Sequence, residues 1–253
     1  MRPAITLPDT TTDPDTVRFD LHDAATFAPA LVGVDRVFLL RPPALASARA
    51  DFGPFVAAMA AARVVDVVFL SVCGAGSNPL LPHARIEKLI EPSGLPWTHL
   101  RPSDFMQNFA TVHRADIRDS HELWSPGRGG RTSYVDVRDV RDVAAVGTRV
   151  LTSSGHDRRA YTLPGGGALD LDEVARVLSA VLGYTVVNRD PGALAVLRCS
   201  RAVARPLQVS IVMLGIGLVA RLGLAAAVSG DIAHLLGRAP TTFTAFARDY
   251  AHT

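Results

Sequence analysis

Short apolar runs alternate with amphipathic stretches through the first hundred residues. Val17–Leu21, Arg36–Leu40, Asp66–Ser71 and Pro96–Arg101 are rich in β-branched and aromatic residues and close on polar residues, Pro or a Gly-rich turn, which predicts strands. Between them, Asp23 caps a helix that ends at Val32 and is stopped by Gly33. A second helix is predicted from about Asp51 to Arg63, and a third from His83 to Ile90, broken by Ser93-Gly94. Continuous apolar strands separated by helices predict a parallel sheet covered on both faces. That is a doubly wound α/β fold, whose ligand sits at the carboxyl ends of the strands.

Beyond Pro102 the pattern loosens. Ser133–Val137 reads as a strand, Arg138–Thr152 as an Arg/Asp-rich helix and Arg159–Leu163 as a further strand. Asp170 is a good N-cap for a helix to Leu182, with Gly183 as the stop. From about Pro191 the chain is mostly helical and apolar, a smaller lobe expected to cover the strand ends. The expected division is residues 1–152 and 153–253, with the strand at 159–163 returning to the first domain's sheet. Residues 206–229 are apolar nearly all round, the pattern of a helix that is buried or covers an apolar pocket. Gln208, Arg221 and the three glycines 215, 217 and 223 argue against a membrane span there.

Composition narrows the function. The chain has 253 residues, 48% hydrophobic and 20% charged, which excludes disorder. A net charge of +2 without clustered cations gives no surface for tracking nucleic acid. Of 26 basic residues only Lys88 is lysine, so any mechanism needing a lysine has one candidate. Cys73 and Cys199 form neither a disulfide framework nor a metal site, and Met1–Pro8 holds no apolar stretch of signal-peptide length. A cytoplasmic chain is expected.

Several stretches carry a resemblance to a known family: DLHDAATFAPALVGVDRVFLLRPP from Asp20, VVFLSV from Val67, HARIEKLIEPSGLPWTHLRPSDFMQNF from His83, YVDVRDV from Tyr134 and LLGRAPTTFTAFARDY from Leu235. In order and spacing they resemble the NmrA-like group of atypical short-chain dehydrogenase/reductases. The resemblance implies a Rossmann-type domain binding NADP or NAD and a small C-terminal substrate lobe. The family's opening unit is a strand, a Gly-rich turn and a helix, and no such unit is found here. Arg2–Leu7 resembles the family's second strand, with Leu7 where NADPH-using members often carry an arginine. Gly74-Ala-Gly76-Ser-Asn-Pro79 follows the wrong strand and reads as a strand-end loop. Against the family, the chain is expected to be short by about one strand–turn–helix unit, on the order of 30 residues. An earlier start, a closed-up sheet or a second chain would each account for it.

The resemblance also places candidate residues. Asp20 and Leu21 match positions bordering the adenine ring, and Arg41, Pro42, Ser71 and Val72 match the shelf under the cofactor. Ordinary short-chain reductases use a tyrosine and a lysine four residues later. The corresponding helix here has His83-Ala-Arg-Ile-Glu87, with Lys88 one residue off register. His83 and Glu87 share a helix face, so the glutamate could orient an imidazole proton donor, or the two could form a solvated pair at a helix start. Phe105, Met106 and Asn108 resemble the stretch near the nicotinamide and substrate, or else pack at a lobe junction. Met213, with Leu214, Ile216 and Leu218, would roof an apolar pocket or form lobe core or a homodimer face.

Three functions follow. The first is an NAD(P)H-dependent oxidoreductase acting on a small apolar, quinone- or polyketide-like substrate, with weakened or lost cofactor binding. The second is a cofactor-independent cyclase or isomerase using His83 as acid/base. The third is a non-enzymatic ligand-sensing regulator.

Overall fold

The structure is a computed structural model that describes residues 16–42, 45, 47–124, 126, 129–137, 141–192, 195–196 and 207–251, the side chains of 207–213 excepted. The strand expected at Arg2–Leu7, Cys199 and the Met213 side chain lie outside the described residues. In chain order the elements are α1 (Phe27–Leu31), β1 (Arg36–Leu39), α2 (Gly53–Ala61), β2 (Asp66–Leu70), α3 (Pro82–Ile90), β3 (Trp97–Pro102), α4 (Gln107–Ala110) and β4 (Glu122–Trp124). There follow β5 (Thr132–Ser133), α5 (Asp142–Thr152), β6 (Arg159–Leu163), β7 (Ala168–Leu169), α6 (Leu171–Leu182), β8 (Val187–Arg189), α7 (Leu207–Arg221), α8 (Asp231–Leu236) and α9 (Phe243–Ala251).

Two compact units interleave along the chain: Met1–Arg101 with Gly147–Tyr161, and Pro102–Val146 with Thr162–Thr253. The first carries the α/β sheet, in the order β1-β2-β3-β6. The pairs β1–β2 and β2–β3 are parallel, with Val37 opposite Val67 and Phe69 opposite His99. As expected of a strand covered on both faces, Val67, Val68 and Phe69 are all fully buried. Val67 and Phe69 pack in one cluster with Met59, Ile86 and Ile90 from α2 and α3. Among the described residues no strand lies beside the other edge of β1.

The predicted strand at Val17–Leu21 does not form as a ladder; Val17 alone makes a bridge. The backbone there bonds to a local turn instead. The Asp20 N–H donates to Thr26 Oγ1 at 3.1 Å, and that hydroxyl donates to the Asp23 carbonyl at 2.7 Å. Asp23 caps the first helical turn as expected, accepting from the Ala25 N–H at 3.1 Å, and Gly33 ends the segment at φ +69°.

In the second unit, β4 pairs with β8 in parallel and β5 with β7 antiparallel. Its core joins Leu123, Val174 and Leu178 to Phe243 and Phe246, where α6 packs on α9. The strand predicted at Ser133–Val137 is shorter: β5 ends at Ser133, and Val135 makes a single bridge to Phe105. At the start of α5, Asp142 is fully buried and accepts from Arg238 Nη1 and the Thr241 N–H, each at 2.8 Å. α7 is 15 residues long; its Ile216, Leu218 and Val219, and Leu222 just beyond it, are 47, 55, 40 and 63% exposed, so these residues are not lobe core. Among the described residues no helix is long and apolar enough to cross a membrane.

Asp170 closes a reciprocal capping box on α6: its carboxylate accepts from the Glu173 N–H at 2.8 Å, and Glu173 accepts from the Asp170 N–H at 2.9 Å. Asp170→Ala is expected to cost about 1 kcal/mol, read as a lower urea midpoint with an unchanged slope. A midpoint equal to the wild type would show that the cap contributes nothing.

Candidate active site at the carboxyl ends of the strands

Parallel strands put their carboxyl ends on one edge of the sheet, which is where this fold exposes backbone and side chains to a ligand. Arg41 and Pro42 follow β1, and Ser71 and Val72 follow β2. α3 returns from the second of these ends with Pro82 in its first turn, where a missing N–H costs nothing. His83 therefore stands at the sheet edge, half-buried, its ring stacked on Phe69 with centroids 6.1 Å apart and planes at 29°.

Arg41 acts electrostatically on His83, and Ser71 bonds to Glu87 one helical turn from it. Burial, reinforced by Arg41 and opposed by Glu87, lowers the His83 pKa to about 4. At neutral pH the ring is a neutral imidazole, so it offers an N–H hydrogen bond and not an imidazolium proton. Glu87 does not orient it. The Glu87 carboxylate is 2% exposed; Ser71 Oγ donates to it at 2.6 Å, and Arg101 donates through Nε at 3.0 Å and Nη2 at 2.7 Å. Burial pushes this carboxyl up, but the Arg101 and Ser71 hydrogen bonds outweigh it and hold it below the usual carboxylate range. Ser71 is correspondingly engaged with protein.

The remaining expected residues divide. Leu21 is buried in the core, and the Asp20 carboxylate accepts from the His22 N–H at 2.9 Å. Arg41 donates to the Leu45 carbonyl at 2.6 Å, and Pro42 is exposed. Lys88 faces away, its side chain 77% exposed and paired with Glu91 at 2.8 Å. In the second unit, Met106 is 1% exposed and packs among Phe109, Tyr134 and Phe243, so it is core and not pocket lining. Asn108 donates to Asp104 at 2.7 Å, and Gln107 donates to the buried Asp136 at 2.6 Å. Phe105 is half-buried at its bridge to Val135. A groove of about 680 Å³ in this unit, lined by Leu169, Val177, Val181, Arg176 and Arg248 among others, contains none of the expected residues.

The fit to a dinucleotide is one-sided. The shelf after β1 and β2 has the place in the topology that such a cofactor needs. The Gly74–Gly76 turn does not cradle a diphosphate. A Cβ at Gly76 would lie 2.5 Å from Arg101 Nη1, so the space beside this glycine is filled by protein. Among the described residues no other glycine turn joins a strand of the four-stranded sheet to a helix N-terminus.

The Ser71–Glu87–Arg101 cluster, and His99 beside it, escaped the sequence reading. The signal was there in two periodicities: Glu87 and Glu91 lie one helical turn apart, while His99 and Arg101 lie two residues apart on one face of β3. His99 is fully buried, stacked on Trp97 at 4.3 Å and 17°, and neither ring nitrogen has a hydrogen-bond partner in the structure. Its Nε2 is 3.7 Å from Glu91 Oε1. Burial lowers the His99 pKa to about 4 against the pull of Glu87 and Glu91. A base with a depressed pKa binds fewer protons folded than unfolded. Its contribution is intact above about pH 6.5 and is lost as pH falls towards 4. His99→Leu is expected to reduce the slope of unfolding free energy against pH in that window by one proton's worth, measured by urea titrations from pH 4 to 7. An unchanged slope would exclude a neutral buried His99.

No protein-family profile matches the chain. Individual relatives do. An NAD(P)H azoreductase of Xenophilus azovorans is 35% identical over 176 residues, covering 66% of this chain and 58% of that protein. The "prestalk A differentiation protein A" of Dictyostelium discoideum is 29% identical over 68% of this chain and 56% of its own length. The chain thus spans under two thirds of these two relatives. A (4-alkanoyl-5-oxo-2,5-dihydrofuran-3-yl)methyl phosphate reductase of Streptomyces griseus is 31% identical over 242 residues, 90% of this chain and 80% of that enzyme. Among solved structures, the Escherichia coli NADPH-dependent quinone oxidoreductase in complex with NADPH superposes with a TM-score of 0.83 at 23% identity, over 94% and 82% of the two chains. The Citrobacter triphenylmethane reductase with NADP(H) gives 0.82 at 20%, over 93% and 83%. The fold is the Rossmann fold of these reductases, and the chain belongs to the NmrA-like group of atypical short-chain dehydrogenase/reductases.

Proposed function

We propose that this chain is an NAD(P)H-dependent oxidoreductase that reduces a small apolar, conjugated acceptor of quinone or polyketide type, with His83 as the hydrogen-bond donor to the oxygen that gains charge. The observation that carries the reading is the placement of His83. It is a half-buried, neutral imidazole at the carboxyl edge of a parallel sheet, held flat on Phe69 beside the Arg41 guanidinium. NAD(P)H, when bound, supplies the hydride. The chain's own residues orient and polarise the acceptor: a neutral N–H donates to the developing oxyanion without first losing a proton, and burial strengthens that bond.

The cofactor class is supported by relatives that use NAD(P)H and by neighbours solved with NADP(H). Arg41, Pro42 and Val72 are the residues that would line its nicotinamide side, whereas Ser71 already bonds to Glu87 and acts from behind the shelf. The acceptor class is supported by the named substrates of the relatives: an azo compound, a quinone and an unsaturated lactone phosphate are all conjugated. The differentiation protein among the relatives favours a second reading, a non-enzymatic ligand-sensing regulator.

Calorimetric titration with NADPH and NADH tests the first reading, with a dissociation constant on the order of micromolar expected for one of them. With a quinone acceptor, His83→Ala is expected to lower kcat by about 10²-fold, and His83→Gln, which keeps an N–H donor, by less. Nucleotide binding without turnover of any acceptor would support the regulator. Absence of nucleotide binding, with isomerase turnover that His83→Ala abolishes, would replace the reductase by a cofactor-independent enzyme.

A further inference from the structure

A buried carboxylate facing a catalytic imidazole ordinarily draws a proton onto it, as an opposite charge within about 4–6 Å favours the imidazolium. Glu87 is one helical turn from His83 on the same face of α3, and it acts on His83 in that direction. Yet the carboxylate is not free to act as a full negative charge. Arg101 grips it with two hydrogen bonds, and Ser71 with a third, in a site where the carboxylate is 2% and the guanidinium 19% exposed.

We infer that Arg101 is a positioning residue that acts on His83 through Glu87: by pairing with that carboxylate it offsets the one negative charge on the imidazole's side of α3 and holds α3 against the end of β2. The inference rests on the proposed role of His83 for its functional meaning, but its physical content is independent of that role. Three segments meet on the Glu87–Arg101 pair. Glu87 ties the guanidinium to α3, Ser71 ties the same carboxylate to the end of β2, and Gly76 brings the intervening turn against Nη1 closely enough that a Cβ there would overlap it. The bidentate fork matters, since a lysine at this position would give a single charged contact and leave the second carboxylate oxygen to Ser71 alone.

The charged and titratable groups around His83 are few and can be named. From the end of β1 comes Arg41, from α3 Glu87, and from β2 only the Phe69 ring. Behind Glu87 stand Arg101 and His99 on β3, with Cys73 next to Arg101 on the turn and with Lys88 and Glu91 closer to the far end of α3. Removing Arg101 leaves a buried carboxylate without its counter-ion. The site then takes up a proton more readily, shared between Glu87 and His83 as a coupled pair. Removing the Glu87 charge does the opposite, leaving Arg41 and Arg101 to oppose protonation of His83.

The two variants therefore have opposite signs. Proton NMR of the His83 ring with ¹³C detection of the Glu87 carboxyl, on the full chain, reads both groups without any need for turnover. Arg101→Gln is expected to raise the apparent pKa of the pair by about one pH unit or more, and Glu87→Gln to lower that of His83. Arg101→Lys should fall between Arg101→Gln and the wild type. If Arg101→Gln does not fold, Arg101→Lys and Glu87→Gln carry the test. Unchanged titration in the folded variants, whatever their melting temperatures, would overturn the inference and leave the pair a structural brace. Titrations that move as stated, in a chain with no reductase activity, would uphold it while removing the proposed function.

Discussion

The Glu87 carboxylate is withdrawn from water between a helix and a parallel sheet, and the local structure is arranged to make that tolerable. An unpaired charge at such depth is strongly unfavourable, and removing one partner of a buried pair typically costs about 3–5 kcal/mol. Here both carboxylate oxygens are bonded, by the planar fork of Arg101 and by Ser71, at 2.6 to 3.0 Å. Each donor sits on a different element, so the pairing requires that β2, β3 and α3 hold one mutual placement. Apolar packing of Phe69, Ile86 and Ile90 beneath them supplies cohesion without direction; the ion pair supplies the register.

That division of labour explains which parts of the molecule could be read from the chain. The strands Arg36–Leu39, Asp66–Leu70 and Arg159–Leu163 and the helix Leu171–Leu182 form where hydrophobic period, caps and glycine stops coincide. Local propensity and tertiary burial agree there, so the sequence signal is strong. Val17–Leu21 has strand composition but not strand pairing, because Thr26 and Asp23 offer its backbone nearer partners. α7 has the composition of a buried helix and several large apolar residues in the open. Composition reports what a segment can bury, not what stands opposite it.

The candidate site was legible as a location and not as a network. Strand ends follow from topology and local pattern, while His83 and the arginine after β1 came with the family resemblance. The partner of Glu87 does not: His83 is four residues away in sequence, while Arg101 is fourteen residues distant and reaches the carboxylate from the next strand. Sequence spacing favours the local pair, and geometry favours the guanidinium, which brings charge and two donors where a neutral imidazole brings one. His99 was missed for a related reason. A histidine in an apolar strand looks like an interruption until the neighbouring helix is seen to present Glu87 and Glu91 to that face.

The Gly74–Gly76 turn joins these threads. In sequence it has the look of a phosphate loop out of place, and its glycines invite a ligand to explain them. The structure gives Gly76 another reason: the Arg101 guanidinium lies where a Cβ would be, so any side chain there would displace the guanidinium from its present position. Gly74, at φ +86°, supplies the sharp turn that carries the chain from β2 past that side chain.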